Sequence, residues 1–165
     1  MVPDARHGFE FIDDNAVEID RRAAAWFFFT FYPKVLTEHA GTVYLAPIAD
    51  SNGRPIEAGK TYRLKVPNDI PAKQFWSLTM YDRATWAFVQ NPLDRAGLGL
   101  FNMKDMKVNA DGSVDVYVGP KAPDGLESNW IPTMGKTPYL WLRLYAPEEP
   151  FWKKTFKVPD VELVQ

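Results

Sequence analysis

Apolar and polar residues alternate with a period of two along much of the chain. Thr61 to Val66 is the cleanest case: Tyr62, Leu64 and Val66 fall on one side, Thr61, Arg63 and Lys65 on the other. That is the pattern of a strand with one buried face. Gln74 to Asp82 repeats it, with Trp76, Leu78 and Met80 opposite Phe75, Ser77, Thr79 and Tyr81. Tyr139 to Tyr145 sets Leu140, Leu142 and Leu144 inward, so Tyr139, Trp141, Arg143 and Tyr145 share the other face. Thr42 to Ile48 reads as a further strand. Met106–Val108 and Val114–Val118 read as two arms of a hairpin closed by Asn109-Ala110-Asp111-Gly112, a turn signal between alternating runs. Asp50-Ser51-Asn52-Gly53 is a turn in which glycine supplies a positive φ. Residues 83–102, with Pro92, Gly97 and Gly99, read as irregular, and Pro147 and Pro150 open a tail.

The period changes near the N-terminus. Asp13, Asp14 and Asn15 offer capping oxygens ahead of an alanine-rich run, and a helix is expected from about residue 15 to residue 31, ended by Pro33. Val17, Ile19, Ala23, Trp26, Phe27 and Thr30 form its apolar face, and Phe28, Phe29 and Phe31 crowd the other side. A helix apolar nearly all round is buried on two sides: against a sheet and a loop, or against another subunit or domain. The expected division is an N-terminal segment, 1–41, followed by a β domain, 42–165. Short alternating strands spaced by turns predict a mainly β fold, an antiparallel sandwich or barrel. No βαβ repeat is present, so no parallel sheet is expected.

Composition narrows the function classes. The 165 residues contain no Cys, which removes disulfides, thiolate nucleophiles and Cys-ligated metal sites. Nineteen Lys+Arg against 21 Asp+Glu give a net charge of -2, which argues against nucleic acid as a partner. The most apolar run, Ala23 to Tyr32, is half of the roughly 20 residues needed to cross a bilayer, so no membrane span is expected. The first ten residues have no apolar leader region. The chain as it stands reads as soluble and cytoplasmic, or as periplasmic or secreted if its start is a processed one.

Standard catalytic signatures are missing. His7 and His39 are the only histidines, and neither sits in a metal-ligand spacing or beside a Gly-x-Ser-x-Gly elbow. Asp50-Ser51-Asn52-Gly53 lacks the closing Glu of a calcium loop. No phosphate-binding glycine motif occurs, and no cofactor is expected. Asp82, Asp94 and Glu127 include the carboxylates that an acid/base pair would use, but spacing alone pairs none of them.

The unusual feature is a set of polar residues beside aromatic ones: Trp76, Asp82, Arg95, Asn129, Trp130 and Arg143. An Arg among aromatic rings can stack on them and bind a carboxylate with two hydrogen bonds. Three readings follow. The set is a structural Arg–Asp–Asn network, a pocket whose aromatic walls and polar donors suit a sugar or small anion, or an interface.

Five ordered blocks carry a family resemblance. They are Phe75-Trp76-Ser77-Leu78-Thr79-Met80-Tyr81-Asp82, Asn91-Pro92-Leu93-Asp94-Arg95, Asp111-Gly112-Ser113, Asn129-Trp130-Ile131-Pro132 and Leu142-Arg143-Leu144-Tyr145-Ala146-Pro147. Over about residues 42–161 the chain resembles the domain of unknown function 1214 family, whose module commonly follows a second one, domain of unknown function 1254. The resemblance implies a jelly-roll-like antiparallel β-sandwich, often bacterial, and no catalytic residues to carry over. The helix at 15–31 resembles only the segment that connects the two modules. The functional expectation is a binding module for a polar or carbohydrate-like small molecule that also self-associates as a homo-oligomer. The six residues above would line or support its site. The alternatives are a hydrolase or lyase using Asp82 with Arg95 or Arg143 as stabiliser, and a purely structural assembly module.

Overall fold

Alternation along the chain resolves into two four-stranded sheets in a computed structural model that describes residues 41–164. The helix expected at 15–31 lies outside the described residues, as do His7 and His39. The strands are β1 (Thr42–Leu45), β2 (Tyr62–Val66), β3 (Ala72–Asp82), β4 (Gly97–Gly99), β5 (Val114–Gly119), β6 (Trp130–Pro132), β7 (Pro138–Pro147) and β8 (Glu162–Leu163). One sheet has the order β1-β7-β3-β4, the other β6-β5-β2-β8. Helix is scarce among these residues: one four-residue turn, α1 (Glu149–Trp152), and two 3-10 turns at Leu100–Asn102 and Glu127–Asn129. No helix among them is long and apolar enough to cross a membrane.

The inward residues of both sheets join one core. Trp76, Leu78 and Met80 of β3 and Leu140, Leu142 and Leu144 of β7 cluster with Leu64 and Val66 of β2, Val114, Val116 and Val118 of β5, and Ile131 of β6. Met80, Val116, Ile131, Leu140 and Leu144 have no exposed surface at all. Each such side chain contributes about 1.5–3 kcal/mol on leaving water, so the alternation seen in the sequence is the main source of the fold's stability.

Three expectations need correction. The first is the purely antiparallel character of the sheets: β5 and β6 pair parallel, Tyr117 with Trp130 through Gly119 with Pro132. The connection, residues 120–129, crosses with a 3-10 turn in place of a helix. The second is the strand at Met106–Val108, which is irregular. Its ladder is replaced by a side chain: the Lys107 N–H donates to Asn129 Oδ1, and the Lys107 carbonyl accepts from Asn129 Nδ2, both at 2.8 Å. The turn it was expected to lead into is present, with Gly112 at φ 79° and its N–H donating to the Asn109 carbonyl. The third is the supposedly irregular stretch 83–102, which contains β4. A Cβ on Gly97 would lie 2.5 Å from the Leu78 carbonyl oxygen, and one on Gly99 2.6 Å from that of Trp76. Glycine is what lets this strand approach β3.

The two outer faces differ in kind. On the β2–β5 side Arg63 pairs with Glu162 at 2.5 Å and Lys65 with Asp111 at 2.8 Å, a charged face of the sort an antiparallel sheet turns to water. Here pH acts on stability. The Lys65 ammonium, followed by the hydroxyl and N–H of Ser113, holds the Asp111 carboxyl well below the usual carboxylate range. A carboxyl depressed in the folded state adds stability above its unfolded pKa of about 3.9, and this is lost as pH falls. The melting temperature is therefore expected to drop between about pH 5 and pH 2, and Asp111→Asn to flatten that drop. Identical pH profiles for parent and variant in a thermal melt would refute the assignment.

Candidate functional site

The β1-β7-β3-β4 sheet presents a different outer face, built by parity alone. Alternation puts Tyr139, Trp141, Arg143 and Tyr145 in one row along β7, all partly exposed. Strand register then sets their neighbours: Arg143 lies beside Tyr44 of β1 and Ser77 of β3, Tyr145 beside Phe75, and Tyr139 beside Tyr81. The result is a sheet of rings. Tyr44 meets Trp141 edge-on at 5.0 Å between centroids, Phe75 stacks on Tyr145 at 3.9 Å, and Phe88 stacks on Tyr81 at 4.8 Å. Trp86 stands edge-on to Tyr139 at 4.8 Å, and Phe101 lies 5.0 Å from Phe75. Tyr44 is 50% exposed, Phe88 56%, Trp86 62% and Phe101 74%, so the rim of the face is open.

Arg143 is at the centre. Its guanidinium carbon is 5.5 Å from the Tyr44 ring and 5.9 Å from the Tyr81 ring, within cation–π range. Its Nη2 donates to the Tyr81 hydroxyl at 2.5 Å. The small Ser77 opposite leaves it room. Arg143 Nε and Trp141 Nε1 are buried donors without a partner among the described residues, and no carboxylate among those residues pairs with Arg143.

The other predicted site residues lie elsewhere. Trp76 is 4% exposed and belongs to the core, where it borders a cavity of about 210 Å³ with Val66, Met103 and Val114. Arg95 Nη1 donates to the carbonyls of Glu127 at 2.6 Å and Trp130 at 2.9 Å, which ties two loops together. Trp130 Nε1 donates to the Gly119 carbonyl at 3.0 Å. Asn129 is 1% exposed, with both ends of its amide engaged by backbone. These three form a neighbouring group of braces around the β5–β6 crossover.

Asp82 is 5% exposed and organises a turn. Its Oδ1 accepts from the Ala84 N–H and its Oδ2 from the Thr85 hydroxyl, while its carbonyl accepts from Trp86 N at 2.7 Å. Lys136 Nζ lies 3.9 Å from the carboxylate. This turn holds Trp86 at φ 59°, a backbone region that costs a non-glycine residue of order 1–3 kcal/mol. Strain of that kind is retained where the surroundings enforce it, and here it sets an exposed indole at the rim of the aromatic face. Asp82 thus touches the face indirectly. Of the six residues only Arg143 lies on it. Tyr44 and Trp86, which complete it, were not among the candidates. Tyr44 was within reach of parity, since Val43 is buried and its neighbour must point outward.

Comparison with known proteins places this architecture. The VPA0106 protein from Vibrio parahaemolyticus has a similar structure, with a TM-score of 0.62 at 22% sequence identity over 76% of this chain and 31% of that one. A putative uncharacterised protein from Burkholderia cenocepacia matches at a TM-score of 0.44 and 13% identity, over 79% of this chain and 31% of that one. The chain therefore spans about a third of the length of these proteins, and at 22% identity the likeness to the Vibrio protein is one of fold. No curated protein matches. A family model described as "Protein of unknown function (DUF1214)" matches residues 41–149, a range that takes in β1 to β7 and every residue of the aromatic face. The chain belongs to the DUF1214 family.

Proposed function

We propose that this chain is a binding module for a polar small molecule of carbohydrate type, and that the outer face of the β1-β7-β3-β4 sheet is its binding surface. One observation carries the reading: an arginine, Arg143, set among aromatic planes whose rim is open. Aromatic rings take the apolar faces of sugar rings, and a guanidinium takes their oxygens. Sheets that each mix early and late strands support a jelly-roll-like β-sandwich as the underlying topology, with the parallel β5·β6 pair as an addition to it. An enzyme built on Asp82 draws less support, because both of its carboxylate oxygens serve the turn they sit in.

The test is calorimetric titration against a panel of oligosaccharides. Tyr44→Ala and Trp141→Ala are each expected to weaken the tightest binder about tenfold or more, since a large apolar side chain taken out of water contributes on the order of 1.5–3 kcal/mol. Unchanged affinity in both folded variants would sink the reading. Self-association is the second reading, favoured by the exposed Trp86, Phe88 and Phe101, since aromatic residues are enriched at interfaces. Sedimentation of the same samples reads it directly: a monomer at all concentrations removes it.

A further inference from the structure

We infer that the ligand of the aromatic face is acidic: a saccharide carrying a carboxylate, as in a uronic acid, held with that carboxylate over the Arg143 guanidinium. The inference rests on the binding reading above and adds the charge of what is bound. The argument is electrostatic. Arg143 is partly buried, and a cation removed from water needs a counter-charge or it loses several kcal/mol of solvation. Among the described residues its neighbours are the rings of Tyr44 and Tyr81 and the Tyr81 hydroxyl, none of which is charged. The rest of the outer row on β7 is Tyr139, Trp141 and Tyr145. Along the regular β3 ladder it is Phe75, Ser77, Thr79 and Tyr81.

The inward side offers no remedy. Asp82, on the same sheet, is 5% exposed and spent on its own turn, with Lys136 beside it. Two buried donors, Arg143 Nε and Trp141 Nε1, lack partners among the described residues, and their dipoles add to the positive potential under the face. The contrast with the opposite sheet is direct: there Arg63 and Lys65 each have a carboxylate at 2.5–2.8 Å. The same electrostatics weigh against a second copy as the occupant in a two-fold contact through this face. It would bring Arg143 against the same arginine of the other copy, like charge against like charge. A carboxylate on a pyranose matches both halves of the face: the ring's C–H surface lies on the aromatic planes, and the acid takes the guanidinium.

The experiment pairs one sugar in two charge states. Tetragalacturonate and its fully methyl-esterified form are titrated into the whole chain at neutral pH, at low salt and in about 0.5 M salt, where the Debye length is only a few ångströms. The acid is expected to bind at least tenfold tighter than the ester. That advantage should shrink in high salt, and it should disappear in Arg143→Gln while surviving in part in Arg143→Lys. Tyr44→Ala, at a half-exposed position, should weaken both forms and guards against a misfolded arginine variant. If acid and ester bind equally, the charge inference is overturned and the binding reading stands. If neither binds, the charge inference is overturned, and the binding reading falls with it only if the whole oligosaccharide panel also fails to bind. If the acid binds better but Arg143→Gln and Tyr44→Ala leave it unchanged, the acid site lies elsewhere and the inference is overturned.

Discussion

Asn129→Ala is expected to destabilise the protein by roughly 3–5 kcal/mol, although no strand passes through this residue. Its amide nitrogen donates to the carbonyls of Lys107 at 2.8 Å and Asp115 at 3.0 Å, and its oxygen accepts from Lys107 N at 2.8 Å and the Ser128 hydroxyl at 2.9 Å. Truncation leaves three backbone groups without partners at a site that is 1% exposed. Each unsatisfied buried group costs about 1–3 kcal/mol, and a domain of this kind holds only about 5–15 in total. Asn129→Asp should be nearly as harmful, because it replaces a donor facing two carbonyls with a further acceptor. Denaturant unfolding gives the answer. A shift equivalent to less than about 1 kcal/mol for Asn129→Ala would mean that water fills the vacated place and that the Lys107 segment does not depend on this amide.

Gly97→Ala should cost about 3 kcal/mol and detach β4 from the sheet. The added methyl would sit 2.5 Å from the Leu78 carbonyl oxygen and 3.2 Å from the Thr79 Cα. Both are backbone atoms of β3, so no side chain can move aside. The strand must retreat, and with it the hydrogen bond from Met80 N to the Ala96 carbonyl at 2.8 Å. Gly41→Ala is the control, since a Cβ there meets nothing within 4 Å. Denaturation of the two variants, with amide exchange at Met80, separates steric exclusion from a general loss of glycine. Equal stabilities would show that β4 accommodates a side chain and that its glycines are not required by the pairing.

These two positions mark where reading along the chain stops working. β2, β3 and β7 were legible because each is long enough for its alternation to exceed noise, and because one face of each is buried. β4, β6 and β8 have two or three residues, too few to show any period. They exist because a partner strand distant in sequence supplies the ladder. The outer row of β7 is legible by parity, which sets Arg143 among Tyr139, Trp141 and Tyr145 from the sequence alone. The loop residues were not. Arg95, Asn129 and Trp130 are the residue types a pocket needs, but their partners lie 11 to 35 positions away, and local spacing carries no record of those contacts. A donor-rich residue beside an aromatic one looks the same whether it faces a ligand or a carbonyl.

The strand order also dictates when this fold can form. β1, at Thr42–Leu45, pairs with β7 at residues 142–145, and β2 pairs with β8 at Glu162–Leu163. Each sheet therefore recruits a strand from near the beginning of the described chain and one from near its end. A ribosome would have released almost the whole of it before either sheet could close. Until then the β3 segment, with its Trp76, Leu78 and Met80, has at most the three-residue β4 beside it, lacks its long partner β7 and has no core to enter. Pairings of such long range make for slow folding and leave apolar strands exposed meanwhile. The protein's most vulnerable period in a cell is thus the interval between the synthesis of β3 and that of β7.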